Sequence, residues 1–284
     1  MLVYWNFNLI KIENKSDYQF FDRAFHFGDG VYETIAVKDG KVMFFDEHAN
    51  RLVSNANSLD IPIIIDIPDL GKNIDNIIKS NKIDQGFIKV IVTRGLMTDA
   101  GLSYPKPMKP SLLIWGQKCG FTPLKEKRPY KVIQSQHERR NPYSKVTYTK
   151  TLNYLSNIIA KNEADAAGCD EAIFLNTNGN LAEGTTSNIF LIDNNGKIHT
   201  PEVASGLLNG VVRSKIILAA IELGFEIEES VISPNKLKHS KGCFLTSTLL
   251  DIQPVSEILG VAKYEVSSSI DILEQLENKY QSYS

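Results

Sequence analysis

The sequence predicts an α+β fold, and three observations carry that prediction. Strand-like and helix-like segments are mixed without the strict βαβ alternation that a parallel sheet requires. Hairpin-type turn signals recur between β-rich runs, at Asp39-Gly40, in TNGN (177–180) and in NNG (194–196). Segments with apolar residues at helical spacing lie between them, the clearest being NGVVRSKIILAAIELG at 209–224.

Taken in order, LVYWNFNLIKI at 2–12 reads as a strand, and VYETIAVKDGKVMFF at 31–45 as a hairpin about Asp39-Gly40. DEHANRLVSNANSL at 46–59 reads as a short helix capped by Asp46, with Leu52, Val53, Ala56 and Leu59 as its inner stripe. GFIKVIVTRG and SLLIWG are β-rich, and a Gly- and Pro-rich loop over 95–110 joins them. The break GQKCGFTPLKEKRP divides the chain into residues 1–117, a linker at 118–128, and a larger unit at 129–284. Beyond it, KVIQSQ resumes the β pattern. A helix then follows Lys150, with Leu152, Leu155, Ile158 and Ile159 as its apolar stripe and Gly168 as its stop. The turns TNGN and NNG make EAIFLN, LAEGTTSNIFLID and KIHT consecutive hairpin strands. The helix at 209–224 starts from Asn209 as cap, buries Val212, Ile216, Ala219 and Leu223, and ends at Gly224.

Composition narrows the function classes. A chain of 284 residues with 43% hydrophobic and 23% charged residues has the make-up of an ordinary soluble globular protein. Its net charge of −2 offers no basic surface for nucleic acid or an anionic membrane. No stretch approaches the roughly 20 apolar residues that span a bilayer, and the N-terminus lacks a leader pattern. Cys119, Cys169 and Cys243 are far apart, and the histidines show no ligand spacing, so neither a disulfide scaffold nor a metal site is expected. A cytoplasmic location follows from that usage.

Candidate chemistry sits in a few residues. Lys150 stands where a loop or strand end meets an apolar face; its default reading is a solvated tip, but a desolvated amine there can bond a carbonyl carbon. Glu183 interrupts an apolar strand pair, so it is either a bulge facing water or a buried acid with a cation opposite. Anion donors are available from the helix start at Val211 and Val212, from Thr246, Ser247 and Thr248, and from Arg51. HFGDGVYE at 26–33 holds glycines at a turn before a strand, yet no dinucleotide fingerprint, P-loop or nucleophile elbow occurs. An amine for an aldehyde, an acid for a pyridine nitrogen and a cradle for a phosphate together meet the needs of pyridoxal 5′-phosphate.

FDRAFHFGDGVYET, DEHANRL, KTLNYL, GCDEAIFLNTNGNLAEGTTSNIFLI, HTPEVASGLLNGVVR and LTSTLLDIQPV, in that order over about residues 20–256, resemble the fold-type IV pyridoxal-phosphate enzymes. These include branched-chain aminotransferases, D-amino-acid transaminases and aminodeoxychorismate lyases. The resemblance implies two domains, a smaller N-terminal α/β domain and a larger, barrel-like C-terminal domain with helices, in a homodimer. It implies that Lys150 bonds the cofactor aldehyde, that Glu183 faces the pyridine nitrogen, and that Arg51 holds the phosphate. The resemblance further implies that the N–H groups of Val211 and Val212, with Ser247 or Thr248, complete the phosphate cup, and that Tyr154 and Asn188 fall at positions beside the ring.

Subfamily signals diverge. The Arg-x-His pair of D-amino-acid transaminases is absent from the 95–107 loop, and so is the arginine that the lyases carry there. Phe87-Ile88-Lys89 stands in place of the branched-chain Tyr-x-Arg, which keeps the charge without the fork. Tyr154 and the missing loop arginine point to a branched-chain-like transaminase acting on an L-amino acid and a 2-oxo acid. Aminodeoxychorismate lyase is the alternative, and a non-catalytic pyridoxal-phosphate binder a remote one. Tyr32, Lys89, Thr246 and the 95–107 loop are the expected substrate contacts.

Overall fold

The computed structural model describes residues 2–5, 8–14, 19–99 and 101–283. β1 (Leu2–Trp5) pairs antiparallel with β2 (Asn8–Lys11), so the single strand expected over 2–12 is two, with residues 6 and 7 outside the described set. Helix α1 (Arg23–Phe27) follows, its first turn capped by Asp22, whose carboxylate accepts from the Ala24 N–H.

An antiparallel sheet then forms in the order β4-β3-β5-β6, from β3 (Gly30–Lys38), β4 (Lys41–Val42), β5 (Gly86–Thr93) and β6 (Ser111–Lys118). The expected hairpin is present, with Asp39 and Gly40 both at positive φ, as a tight two-residue turn needs. One face is covered by α2 (Phe45–Ser58) and α3 (Ile67–Asn81); Val31, Ile35 and Val37 pack there against Leu52, Ala56, Leu70 and Ile74. Asp46 is not the cap of α2. The chain enters through Phe44 at φ 52°, and Asp46 lies in the first turn, where its charge still complements the helix dipole. α3 has no counterpart among the predicted elements, although Asp66 caps it and Leu70, Ile74 and Ile78 form its buried stripe.

The chain passes to a second sheet after Lys118. Its strands are β7 (Tyr130–Gln134), β8 (Glu171–Leu175), β9 (Leu181–Gly184), β10 (Asn188–Asp193), β11 (Ile198–Pro201), β12 (Ile227–Ser230), β13 (Ser240–Ser247), β14 (Asp251–Ile258) and β15 (Ala262–Lys263). They run in the order β12-β11-β10-β13-β14-β7-β8-β9, with β15 beside β14. The sheet is mixed: α4 (Leu155–Ala166) connects the parallel pair β7 and β8, and α5 (Val211–Glu222) the parallel pair β11 and β12. β9 curls back toward β10, with the Gly184 N–H donating to the Ser187 carbonyl at 2.7 Å. α6 (Asn235–Lys238) and α7 (Ile270–Gln281) close the faces, and Phe190 stacks on Phe244 at 4.8 Å inside.

Three expectations change here. The hairpins β8–β9 and β10–β11 form, but β9 and β10 are not successive partners; β10 pairs with β13 and the chain breaks at residues 185–187. Helix α4 starts at Leu155, not directly after Lys150, and its buried face is Asn157, Ala160 and Ala164. Leu155 and Ile158 stand 69% and 55% exposed, because the small alanines let the helix lie close on Ala172 and Phe174 of β8. At α5 the N-cap is Gly210, with no side-chain cap; the Asn209 amide oxygen instead accepts from Arg213, and Leu223 is exposed, not buried.

Candidate active site

Lys150 is held against the N-terminal sheet by backbone. The Tyr32 N–H donates to the Lys150 carbonyl at 2.9 Å and the Leu152 N–H to the Gly30 carbonyl at 3.0 Å. That approach needs a glycine at 30: a Cβ there would sit 2.7 Å from the Val92 carbonyl oxygen and 2.8 Å from the Leu152 side chain. The turn HFGDG thus docks the lysine segment. The Lys150 ammonium lies 4.4 Å from the centre of the Tyr32 ring and donates to the Tyr154 hydroxyl at 3.4 Å. The Tyr32 and Tyr154 rings meet edge to face at 5.4 Å, and burial, then Tyr154, pushes the Tyr32 hydroxyl pKa upward.

Glu183, on β9, is buried. Arg140 Nε approaches Glu183 Oε1 at 2.9 Å, off the N–H axis, so the contact is ionic and not a directed hydrogen bond. The Leu208 N–H donates to Oε2 at 3.0 Å. Burial raises this carboxyl above its ordinary value, against the pull of Arg140, Leu208 N–H and Lys150. The bulge-in-water reading of Glu183 is therefore set aside, and a protein cation already faces it. The Arg140 guanidinium also stacks on Phe174 at 4.0 Å.

A cup for an anion lies at the start of α5. Its first N–H groups have no side-chain cap, and Val211 and Val212 line the cavity. Gly210 keeps the entry open, since a Cβ would fall 2.1 Å from the Asn188 amide oxygen. Asn188 itself donates to the Leu208 carbonyl at 2.9 Å. Ser247 and Thr248 face the same space from the end of β13, and the buried Thr246 hydroxyl has no hydrogen-bond partner among the described residues. Arg51 reaches in from α2, its Nη1 donating to the Asn209 carbonyl at 2.9 Å.

All of these line one cavity of about 640 Å³, together with Lys89, Tyr32 and Thr34. The twelve residues singled out in the sequence are thereby brought together: Tyr32, Arg51, Lys89, Lys150, Tyr154, Glu183, Asn188, Val211, Val212, Thr246, Ser247 and Thr248. The 95–107 loop is not with them. No described residue of it lines the cavity; buried Arg23 ties it elsewhere, through the carbonyls of Gly101, Leu102 and Ser103.

Four residues of the site escaped the sequence reading. Arg140 looks like a surface arginine in ERRNP. Glu171, at the start of β8, accepts from the hydroxyls of Thr185 and Ser187 and the N–H of Thr185, and so fixes the loop beside Glu183. Glu33 and His48 stand behind Arg51. Alternation could have found Glu33, because it puts a carboxylate on the same face as Val31 and Ile35.

A lysine free to bond an aldehyde, a buried acid whose carboxyl burial keeps raised, an uncapped helix start and an orphaned threonine hydroxyl fit pyridoxal 5′-phosphate. Among the described residues no group of His, Cys, Asp and Glu has the arrangement of a metal site. Fold and site define the class: residues 30–258 match the profile of amino-transferase class IV, and the chain belongs to that family of pyridoxal-phosphate-dependent enzymes. A relative in Methanocaldococcus jannaschii, provisionally named a branched-chain-amino-acid aminotransferase, is 33% identical over 92% of this chain and 88% of its own. The D-alanine aminotransferase of Bacillus licheniformis is 30% identical over 84% of this chain and 82% of its own. The crystal structure of the Escherichia coli branched-chain amino acid aminotransferase superposes with a TM-score of 0.82 at 26% identity, covering 94% of this chain and 91% of that one. The fold is the α+β fold of these enzymes.

Proposed function

We propose that the enzyme moves the amino group of a branched-chain-like L-amino acid to a 2-oxo acid, with Lys150 as the residue that bonds the cofactor. One observation carries the reading: Lys150, Glu183 and the open start of α5 converge on a single cavity. Pyridoxal 5′-phosphate supplies, when bound, an aldehyde that bonds amines and a ring that accepts electrons from the substrate α-carbon. Once the substrate's amine has displaced it, the freed Lys150 amine would take the α-proton and return it, steadied by the Tyr154 hydroxyl at 3.4 Å. Glu183 would face the ring nitrogen, whose positive charge would lower a carboxyl that burial raises. Val211 and Val212 N–H groups, Arg51, Ser247 and Thr248 hold the phosphate, and Asn188 stands by the ring.

Tyr32, Lys89 and Thr246 are assigned to the substrate. Among the described residues, Lys89 and Lys150 are the cavity-lining cations that no carboxylate pairs. Lys89 stands 4.6 Å over the Tyr32 ring, and its unpaired charge supports the reading that it meets a substrate carboxylate. The absent Arg-x-His pair and the presence of Tyr154 support the branched-chain, L-specific assignment. Exposed Leu155 and Ile158 support a homodimer, and three unpaired cysteines a cytoplasmic location. Sedimentation of the purified protein tests the dimer.

The assay follows the cofactor absorption band while L-leucine, L-glutamate, D-alanine and aminodeoxychorismate are added in turn. Bleaching by L-leucine, with 2-oxo acid formed, is the expected result, and Lys150→Ala abolishes turnover. A response to D-alanine alone overturns the assignment of handedness. Release of 4-aminobenzoate and pyruvate from aminodeoxychorismate, with no 2-oxo acid consumed, makes the enzyme a lyase, and no response to any amine makes it a mere binder.

A further inference from the structure

Glu33 lies on the wrong face for a carboxylate. Its neighbours in alternation, Tyr32 and Thr34, line the cavity, whereas Glu33 points with Val31 and Ile35 into the apolar layer between β3 and α2. A charge there is tolerated only when fully paired. Helix α2 supplies the pairing from two residues one turn apart, His48 and Arg51. Arg51 Nε donates to Glu33 Oε1 at 2.6 Å and Nη2 to Oε2 at 2.8 Å, and His48 Nδ1 lies 2.8 Å from Oε2.

Counting donors shows what this does to Arg51. A guanidinium has five N–H groups. Two go to Glu33 and one to the carbonyl of Asn209, the residue before the Gly210 cap of α5. Two remain, one on each terminal nitrogen, on a group that lines the cavity. Paired N–H groups of that kind match two oxygens of a phosphate. Glu33 also cancels the arginine's charge, so the group acts through fixed direction more than through net charge.

We propose that Glu33, braced by His48, is the positioning residue of the phosphate cup: it holds Arg51 with its last two N–H groups turned to the cofactor phosphate. The inference rests on the phosphate placement given under Proposed function. Glu33 touches neither cofactor nor substrate. Its effect is on the phosphate handle alone, and it distinguishes pyridoxal 5′-phosphate from pyridoxal.

The test strips the full-length protein of cofactor and measures dissociation constants for pyridoxal 5′-phosphate and for pyridoxal. In Glu33→Gln the preference for the phosphorylated form falls at least about tenfold, the equivalent of one charge-assisted contact. Pyridoxal binding stays within about twofold of wild type. Arg51→Lys is the control for placement. If it leaves the preference unchanged, the phosphate lies elsewhere and the placement fails; if it lowers the preference and Glu33→Gln does not, the positioning role alone is overturned. An equal loss for both ligands in Glu33→Gln also overturns it, as a general defect. Should Glu33→Gln not fold, His48→Leu and His48→Asn carry the test. The leucine lowers the preference by about threefold, while the asparagine, whose amide can replace the Nδ1 donor, retains it. An unchanged preference in His48→Leu overturns the proposal.

Discussion

Glu33 and Glu183 are both buried glutamates on strands, and both face an arginine, yet their carboxyls move in opposite directions. Burial works to raise each. At Glu33 two directed bonds from Arg51 and one from His48 overcome it and bring the pKa from 4.5 down to about 2. At Glu183 the off-axis contact of Arg140 and one backbone N–H do not, and the carboxyl stays raised. Equal burial therefore does not make equal acids; the number and aim of the donors decide. Glu33 is committed to the protein, whereas Glu183, although paired with Arg140, keeps a raised carboxyl that a protonated ring nitrogen would lower in our reading.

The largest effect comes from breaking Glu183. If Glu183 stands opposite the ring as proposed, Glu183→Gln removes that charge and lowers kcat roughly 10²- to 10³-fold, the scale of losing one preorganised electrostatic contact. A loss below about threefold in steady-state assays would detach this acid from catalysis.

Next is the pH response of Glu33. Its lowered carboxyl stabilises the folded state above pH 4.5, and that stability is lost as pH falls toward about 2. The amount is on the order of 3 kcal/mol. Urea unfolding of the cofactor-free protein at pH 6 and pH 3 shows the decline, and Glu33→Gln flattens it.

Arg140→Met sharpens the contrast from the other side. Without its arginine, Glu183 is raised further and needs higher pH to ionise, so the acidic limb of the kcat/KM profile moves to higher pH. Activity on that limb falls about tenfold. A limb that stays in place would show that Arg140 does not act on Glu183.

The smallest effect belongs to a third buried acid. Glu171 accepts from hydroxyls and backbone N–H groups, so each donor is worth little alone. Ser187→Ala removes the contact at 3.2 Å and costs about 1 kcal/mol of stability in thermal unfolding.

Legibility followed the range of the interaction. The Asp39-Gly40 turn and the hairpins at TNGN and NNG were readable because each is fixed by a few consecutive residues. α3 was missed because Gly71 and several isoleucines weaken its helical look, although its cap and stripe were present. The burial of α4 was misread because alanines, not leucines, form its inner face. Arg140 and Glu171 had no local signal: Arg140 matters through Glu183 on β9, and Glu171 through the loop at 185–187.

What the sequence determined by itself was the inventory: a lysine at 150, an acid at 183, an arginine on α2, hydroxyls at 246–248 and a glycine-led helix start, in the order of a known family. Tertiary structure decided their electrostatic character. A carboxylate's proton affinity depends on how many donors point at it and from where, and those donors arrive from elements up to tens of residues away. Composition names the groups, but only the packed chain sets their charges against one another.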